Sequence, residues 1–198
     1  MRGAFGRVVL GLTVTGVVIG GLWAWIAPPI HAVVAITKSG ERVHDYLGSE
    51  SQHFFDAPCL MLGLLTLVAI VAPVLVWQWR ASRGPGMVVG LVVGLVTGTA
   101  AAGAVGAALV RLRYGALNFD TVPLSGGEHK LAYVVEAPPV FFSHAWLPLA
   151  GSFIWPVGIA ALVYAVMAAG SARDDLGAFA VADEPSNALP IEPEASVP

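Results

Sequence analysis

Four uncharged apolar stretches, residues 8–27, 57–79, 87–110 and 147–170, run for 20, 23, 24 and 24 residues. A helix of about 20 apolar residues crosses the roughly 30 Å of bilayer hydrocarbon, so each stretch has the length of a membrane span. The rest of the composition agrees: 57% of the 198 residues are hydrophobic, 12% are charged and the mean hydropathy is +0.76. Soluble domains carry about 25% charged residues, and half of that does not cover a water-facing surface. The expected fold class is an all-α membrane protein, with four transmembrane helices in residues 1–173, joined by outer loops 28–56 and 111–146.

The first stretch follows Arg2 and Arg7, as a signal peptide would. It exceeds the usual 7–15 residue core of such peptides, and Trp23, Trp25, Pro28 and Pro29 stand where small residues are wanted for cleavage. It reads as a retained helix. Positive residues in short loops stay in the cytoplasm. The N-terminus and the 80–86 turn hold Arg2, Arg7, Arg80 and Arg83, whereas the much longer loops hold only Lys38, Arg42, Arg111, Arg113 and Lys130. Both termini are therefore expected in the cytoplasm and both long loops outside, with Arg111 and Arg113, directly after the third span, counting against this orientation.

The outer loops carry strand signals. Residues 30–37 form an apolar β-branched run, a turn follows at Lys38-Ser39-Gly40-Glu41, and residues 43–47 return. In the second loop, residues 118–124 and 129–136 flank Ser125-Gly126-Gly127 and read as another hairpin. Isolated hairpins are marginal in water, so the two are expected to pair together or with a partner. Ser49 and Gln52 fit a capping box at the start of the second helix. Residues 174–198 carry six acidic and no basic residues, which makes the net charge of −3 an average of this tail and a body of net +3. Such a segment buries too little to offset its ordering entropy and is expected to be a disordered cytoplasmic tail.

The most specific pattern is a row of small residues four apart: Gly86, Gly90, Gly94, Gly98, Ala102 and Gly106. Residues at that spacing share one helix face, and their lack of side chain lets a second backbone come close. The partner is either the first span, which has Gly16 and Gly20, or a helix of another protein.

No Asp, Glu, Lys, Arg or His lies within the four spans. Ion-coupled carriers, proton pumps and haem-bearing subunits need such groups there. All five histidines, His31, His44, His53, His129 and His144, fall in the outer loops near acidic residues, yet none has helical metal-ligand spacing. They read as polar loop residues, and no metal or cofactor is expected. No nucleophile, phosphate-binding or dinucleotide motif is present, so no enzyme activity is expected. The lack of a Lys/Arg cluster disfavours nucleic acid, and the single Cys59 excludes an internal disulfide framework.

The segments SGERVHDYLG (39–48), HFFDAP (53–58), WQWRASRGP (77–85), VRLRYG (110–115), EAPPVFF (136–142) and ARDDLG (172–177) resemble a family of small actinobacterial, chiefly mycobacterial, integral membrane proteins of unknown function. The resemblance runs from about Arg7 to Gly177. It implies a multi-pass protein of the bacterial inner membrane. It further implies a non-catalytic accessory subunit of an Mce-type lipid or fatty-acid importer, whose partners are the permease, the extracytoplasmic components and the bilayer. Two other functions remain open on the residues: a scaffold or pore that self-associates through the glycine row, and an outward-facing sensor built on the loop histidines.

Overall fold

The computed structural model describes residues 2–80, 83–124, 131–143 and 145–171. Within them lie four long helices: α1 (Arg2–Ile26), α2 (His53–Trp77), α3 (Pro85–Tyr114) and α4 (Trp146–Ala169). All four are long and apolar enough to cross a membrane. Their ends follow local chemistry. Pro28 and Pro29 block continuation of α1, because proline lacks the donor and restricts the residue before it. Pro85 opens α3 at a position where its missing N–H costs nothing. Gly115, at φ +74°, closes α3 by donating its N–H to the Arg111 carbonyl at 2.8 Å.

Three helices extend past the apolar stretches that predict them. α1 starts at Arg2 rather than residue 8 and α3 runs on to Tyr114 rather than 110, while α2 starts at His53, ahead of residue 57 as the start signal at Ser49 and Gln52 leads one to expect. Helical hydrogen bonding does not stop at the apolar boundary, and the last turn of α3 gains Arg111 and Arg113 against its negative dipole end.

The helices form a ring in which α1 packs on α3, α3 on α4, α4 on α2 and α2 on α1. Two cores fill it. One joins Val8, Leu12, Val76, Leu91, Ala160 and Tyr164 toward the end that bears the N-terminus and the turn between α2 and α3. The other, at the end that bears both long loops, gathers Ala57, Met61, Ala102 and Val110 around Trp23. The indole of Trp23 is fully buried, and its Nε1–H donates to the Ala57 carbonyl at 2.8 Å.

The first loop forms the expected hairpin: β1 (Ile30–Ile36) and β2 (Arg42–Tyr46) pair antiparallel, with Ala32 opposite Tyr46 and Ile36 opposite Arg42. Ile30, Ala32 and Val34 alternate with half-buried neighbours and turn their buried faces to the bundle. The turn holds Gly40 at φ +86°, where a side chain would be strained.

The second loop corrects the expectation of a second hairpin. Among its described residues it supplies one strand, β3 (Leu131–Glu136), which pairs antiparallel with β1, so the sheet order is β2-β1-β3. Residues 118–124 do not pair. Asn118 Oδ1 accepts the Asp120 N–H in a side-chain turn, Pro123 has no donor, and the Arg42 guanidinium takes the Phe119 and Val122 carbonyls at 2.9 Å each. The capping box is corrected too, since Ser49 makes no side-chain capping bond. Glu50 reaches back instead, its carboxylate accepting from both the backbone N–H and the Nδ1 of His31. This clamps β1 to the start of α2, and His53 adds a bond from Nδ1 to the Pro29 carbonyl at 2.8 Å. The acidic tail (174–198), His129, His144 and the Ser125-Gly126-Gly127 turn lie outside the described residues.

Candidate functional site

The glycine row of α3 faces α1 along nearly its whole length, and the two helices run parallel. A Cβ added at Gly90 would lie 3.2 Å from the Phe5 ring, at Gly94 2.7 Å from Leu12 Cδ1, at Gly98 2.7 Å from the Leu12 carbonyl oxygen, and at Gly106 3.0 Å from the Trp23 ring. Ala102 is fully buried, with Gly20 of α1 seated over its backbone. A Cβ at Gly16 would overlap the Gly98 carbonyl oxygen. Gly86, the first member of the row, stands in open space. In a membrane-spanning bundle, where no water-driven hydrophobic effect acts between helices, such backbone approach is how helices gain packing energy.

Hydroxyls reinforce this contact. Thr13 and Thr97 meet across α1 and α3 at 2.8 Å, one hydroxyl donating to the other, which in turn donates to a carbonyl of its own helix. Between α2 and α4, the Trp155 indole donates to Thr66 Oγ1 at 3.0 Å. Thr99 is the exception: it is fully buried, and Oγ1 has no partner. An unsatisfied buried hydroxyl costs about 1–3 kcal/mol. Thr99→Val, nearly the same shape, is therefore expected to raise unfolding stability by about 1 kcal/mol in detergent; a fall would mean that the hydroxyl has a partner.

At the loop-bearing end lies a cavity of about 550 Å³. The segment after β3 builds it: Pro138 is buried, and Phe141 folds back onto α3, where a Cβ at Gly103 would come within 2.7 Å of its ring. Phe54 of α2 and Val110 of α3 add apolar wall, whereas Arg111 and Glu136 contribute opposite charges to the lining. Among the described residues these two form no ion pair, the one such pair being His31 with Glu50. Arg111 is exposed; Glu136 is half-buried and accepts from the Tyr46 hydroxyl at 3.4 Å. Burial, and after it the Glu136 charge and this hydrogen bond, push the Tyr46 phenol above its ordinary pKa, so it stays a donor.

The loop histidines do not converge. His31 bonds Glu50, His53 bonds Pro29, and His44 stacks on Phe119 with ring centroids 4.2 Å apart. Among the described residues no three His, Cys, Asp or Glu side chains are placed to hold a metal. The cavity escaped the sequence reading. Its signals were present in Gly103, one position off the glycine row, and in the EAPPVFF segment, but nothing local says that Phe141 seats on that glycine.

Residues 12–178 match the family described as protein of unknown function DUF2567. The chain is 65% identical over 180 residues to uncharacterised proteins of Mycobacterium bovis and Mycobacterium tuberculosis, covering 91% of this chain and 93% of each relative. It is 68% identical over 170 residues to an uncharacterised protein of Mycobacterium leprae, covering 86% of this chain and 85% of that relative. No solved structure matches it.

Proposed function

The chain belongs to the DUF2567 family, and from that premise we propose that it is a multi-pass, non-catalytic accessory subunit of a larger membrane complex. The observation that carries this reading is the sheet. Each long loop contributes to one small platform, tied to the bundle by Glu50, His31 and His53, with β2 and β3 as its outer strands. Tyr133 on β3 is 70% exposed and Val43 on β2 is 44% exposed. An open strand edge is a ready template for pairing with another chain, and a rigid platform suits docking better than chemistry.

The proposed complex is an Mce-type lipid or fatty-acid importer, in which the chain would be LucB or a similar accessory subunit. In it the helices would lie beside the permease and the sheet would meet the extracytoplasmic components, with both termini in the cytoplasm of the bacterial cell. The alternative of self-association through the glycine row is less well supported, because α1 already occupies that face.

Purification in mild detergent from the native membrane tests the proposal. A second membrane protein is expected to co-purify with the wild-type chain and to be lost from Tyr133→Glu and Val43→Lys variants whose thermal unfolding is unchanged. A lone chain with no companion overturns it.

A further inference from the structure

We propose that the cavity beside Arg111 and Glu136 holds one acyl chain of a zwitterionic aminophospholipid, with the lipid phosphate at Arg111 and its ammonium at Glu136. The inference rests on the reading that the four helices span a membrane, and not on any partner protein.

Three observations converge. The first is position: the cavity lies where α3 passes from an uncharged apolar run into Arg111, the level at which a spanning helix leaves hydrocarbon for headgroups. The second is size and lining. About 550 Å³ lies within the range of about 300–1,000 Å³ typical of small-molecule sites, and the wall is mostly apolar, with Phe54, Val110, Pro138 and Phe141 among its residues.

The third is charge. Arg111 and Glu136 line the same cavity without pairing with each other. A guanidinium suits a phosphate, which it can bind through two parallel hydrogen bonds. A purely anionic lipid would bring its charge toward Glu136, whereas a phosphate followed by an ammonium satisfies both groups. The Tyr46 hydroxyl donates to Glu136 and holds its carboxylate from the sheet side.

Arg113 provides the internal control. It lies in the same last turn of α3 but stands over the Tyr114 ring, 5.2 Å from its centroid, and is not part of the lining.

The purified full chain in mild detergent, exchanged with dioleoyl phosphatidylethanolamine or dioleoyl phosphatidylglycerol, tests the site by native mass spectrometry. About one phosphatidylethanolamine per chain is expected to be retained in preference to phosphatidylglycerol. Arg111→Gln and Glu136→Gln should each weaken retention about tenfold, the change from losing one charge-assisted hydrogen bond, with Arg113→Gln unchanged. Ala107→Phe, which places a ring in the cavity from α3, should exclude the lipid while the thermal midpoint is kept. Equal retention of the two lipids, equal loss in Arg113→Gln and Arg111→Gln, or full retention in Ala107→Phe overturns the proposal. A chain that stays dispersed without detergent overturns the membrane reading instead.

Discussion

Gly98→Leu is expected to abolish the folded bundle, and Gly16→Ala, a change of one methyl group, to destabilise it by about 1–3 kcal/mol or more. The added carbon at Gly16 meets the Gly98 carbonyl oxygen, and one at Gly98 meets the Leu12 carbonyl oxygen at 2.7 Å. These are backbone atoms held by two hydrogen-bonded helices, so no rotamer change relieves the overlap and the helices must separate. The sign is what makes the test decisive. Elsewhere in a helix, glycine to alanine is favourable by up to about 1 kcal/mol. Gly11→Ala and Gly86→Ala, where a Cβ meets nothing within 4 Å, should therefore leave stability unchanged or raised. Thermal unfolding in detergent, followed by circular dichroism, separates the two sets. If Gly16→Ala melted together with Gly86→Ala, the close approach of α1 and α3 would be refuted.

The second large effect is expected at Trp23. Truncating a buried tryptophan to alanine costs about 3–5 kcal/mol through lost burial and the cavity left behind. Here the vacated space adjoins Gly106 of α3, which has no side chain to fill it, and Met61 of α2. Trp23→Phe keeps much of the apolar volume but removes the donor to the Ala57 carbonyl, and should cost less, about 1 kcal/mol of it from the hydrogen bond. Chemical unfolding of the three proteins in mixed micelles checks the order: wild type, Trp23→Phe, Trp23→Ala. A Trp23→Ala variant as stable as the parent would show that the indole does not organise the loop-bearing half of the bundle.

The four helices were legible because hydropathy over about 20 residues is a direct physical requirement for spanning a bilayer. The first hairpin was legible because an alternating β-branched run and a turn around Gly40 are local signals. The partner of β1 on its other side was not. A two-residue alternation marks a strand without saying which strand it meets, and β3 lies nearly a hundred residues from β1 along the chain. The pairing assigned to residues 118–124 failed for a related reason. Two of their carbonyls, those of Phe119 and Val122, are taken by the Arg42 side chain, a contact that no pattern within the loop announces.

For the candidate site, the glycine spacing pointed to a close helix contact, and Gly16 and Gly20 stood out as its possible counterpart. The cavity was illegible because it exists only when Phe141 lies on Gly103 and Glu136 of β3 comes to the same hollow as Arg111 at the end of α3. Each group belongs to a different segment, and only the folded chain brings them together.

The parallel seating of α1 on α3 also sets an order for biosynthesis. Gly16 finds its neighbour at Gly98 and Gly20 at Ala102, so the first helix to leave the ribosome has no close companion until the third has been made. While α2 is being made, the bare glycine face of α1 still lacks the partner it has in the folded chain. A nascent chain arrested before α3 would therefore hold two helices without the closest backbone approach of the finished protein. Synthesis of α3 is the step at which this protein becomes hard to pull apart.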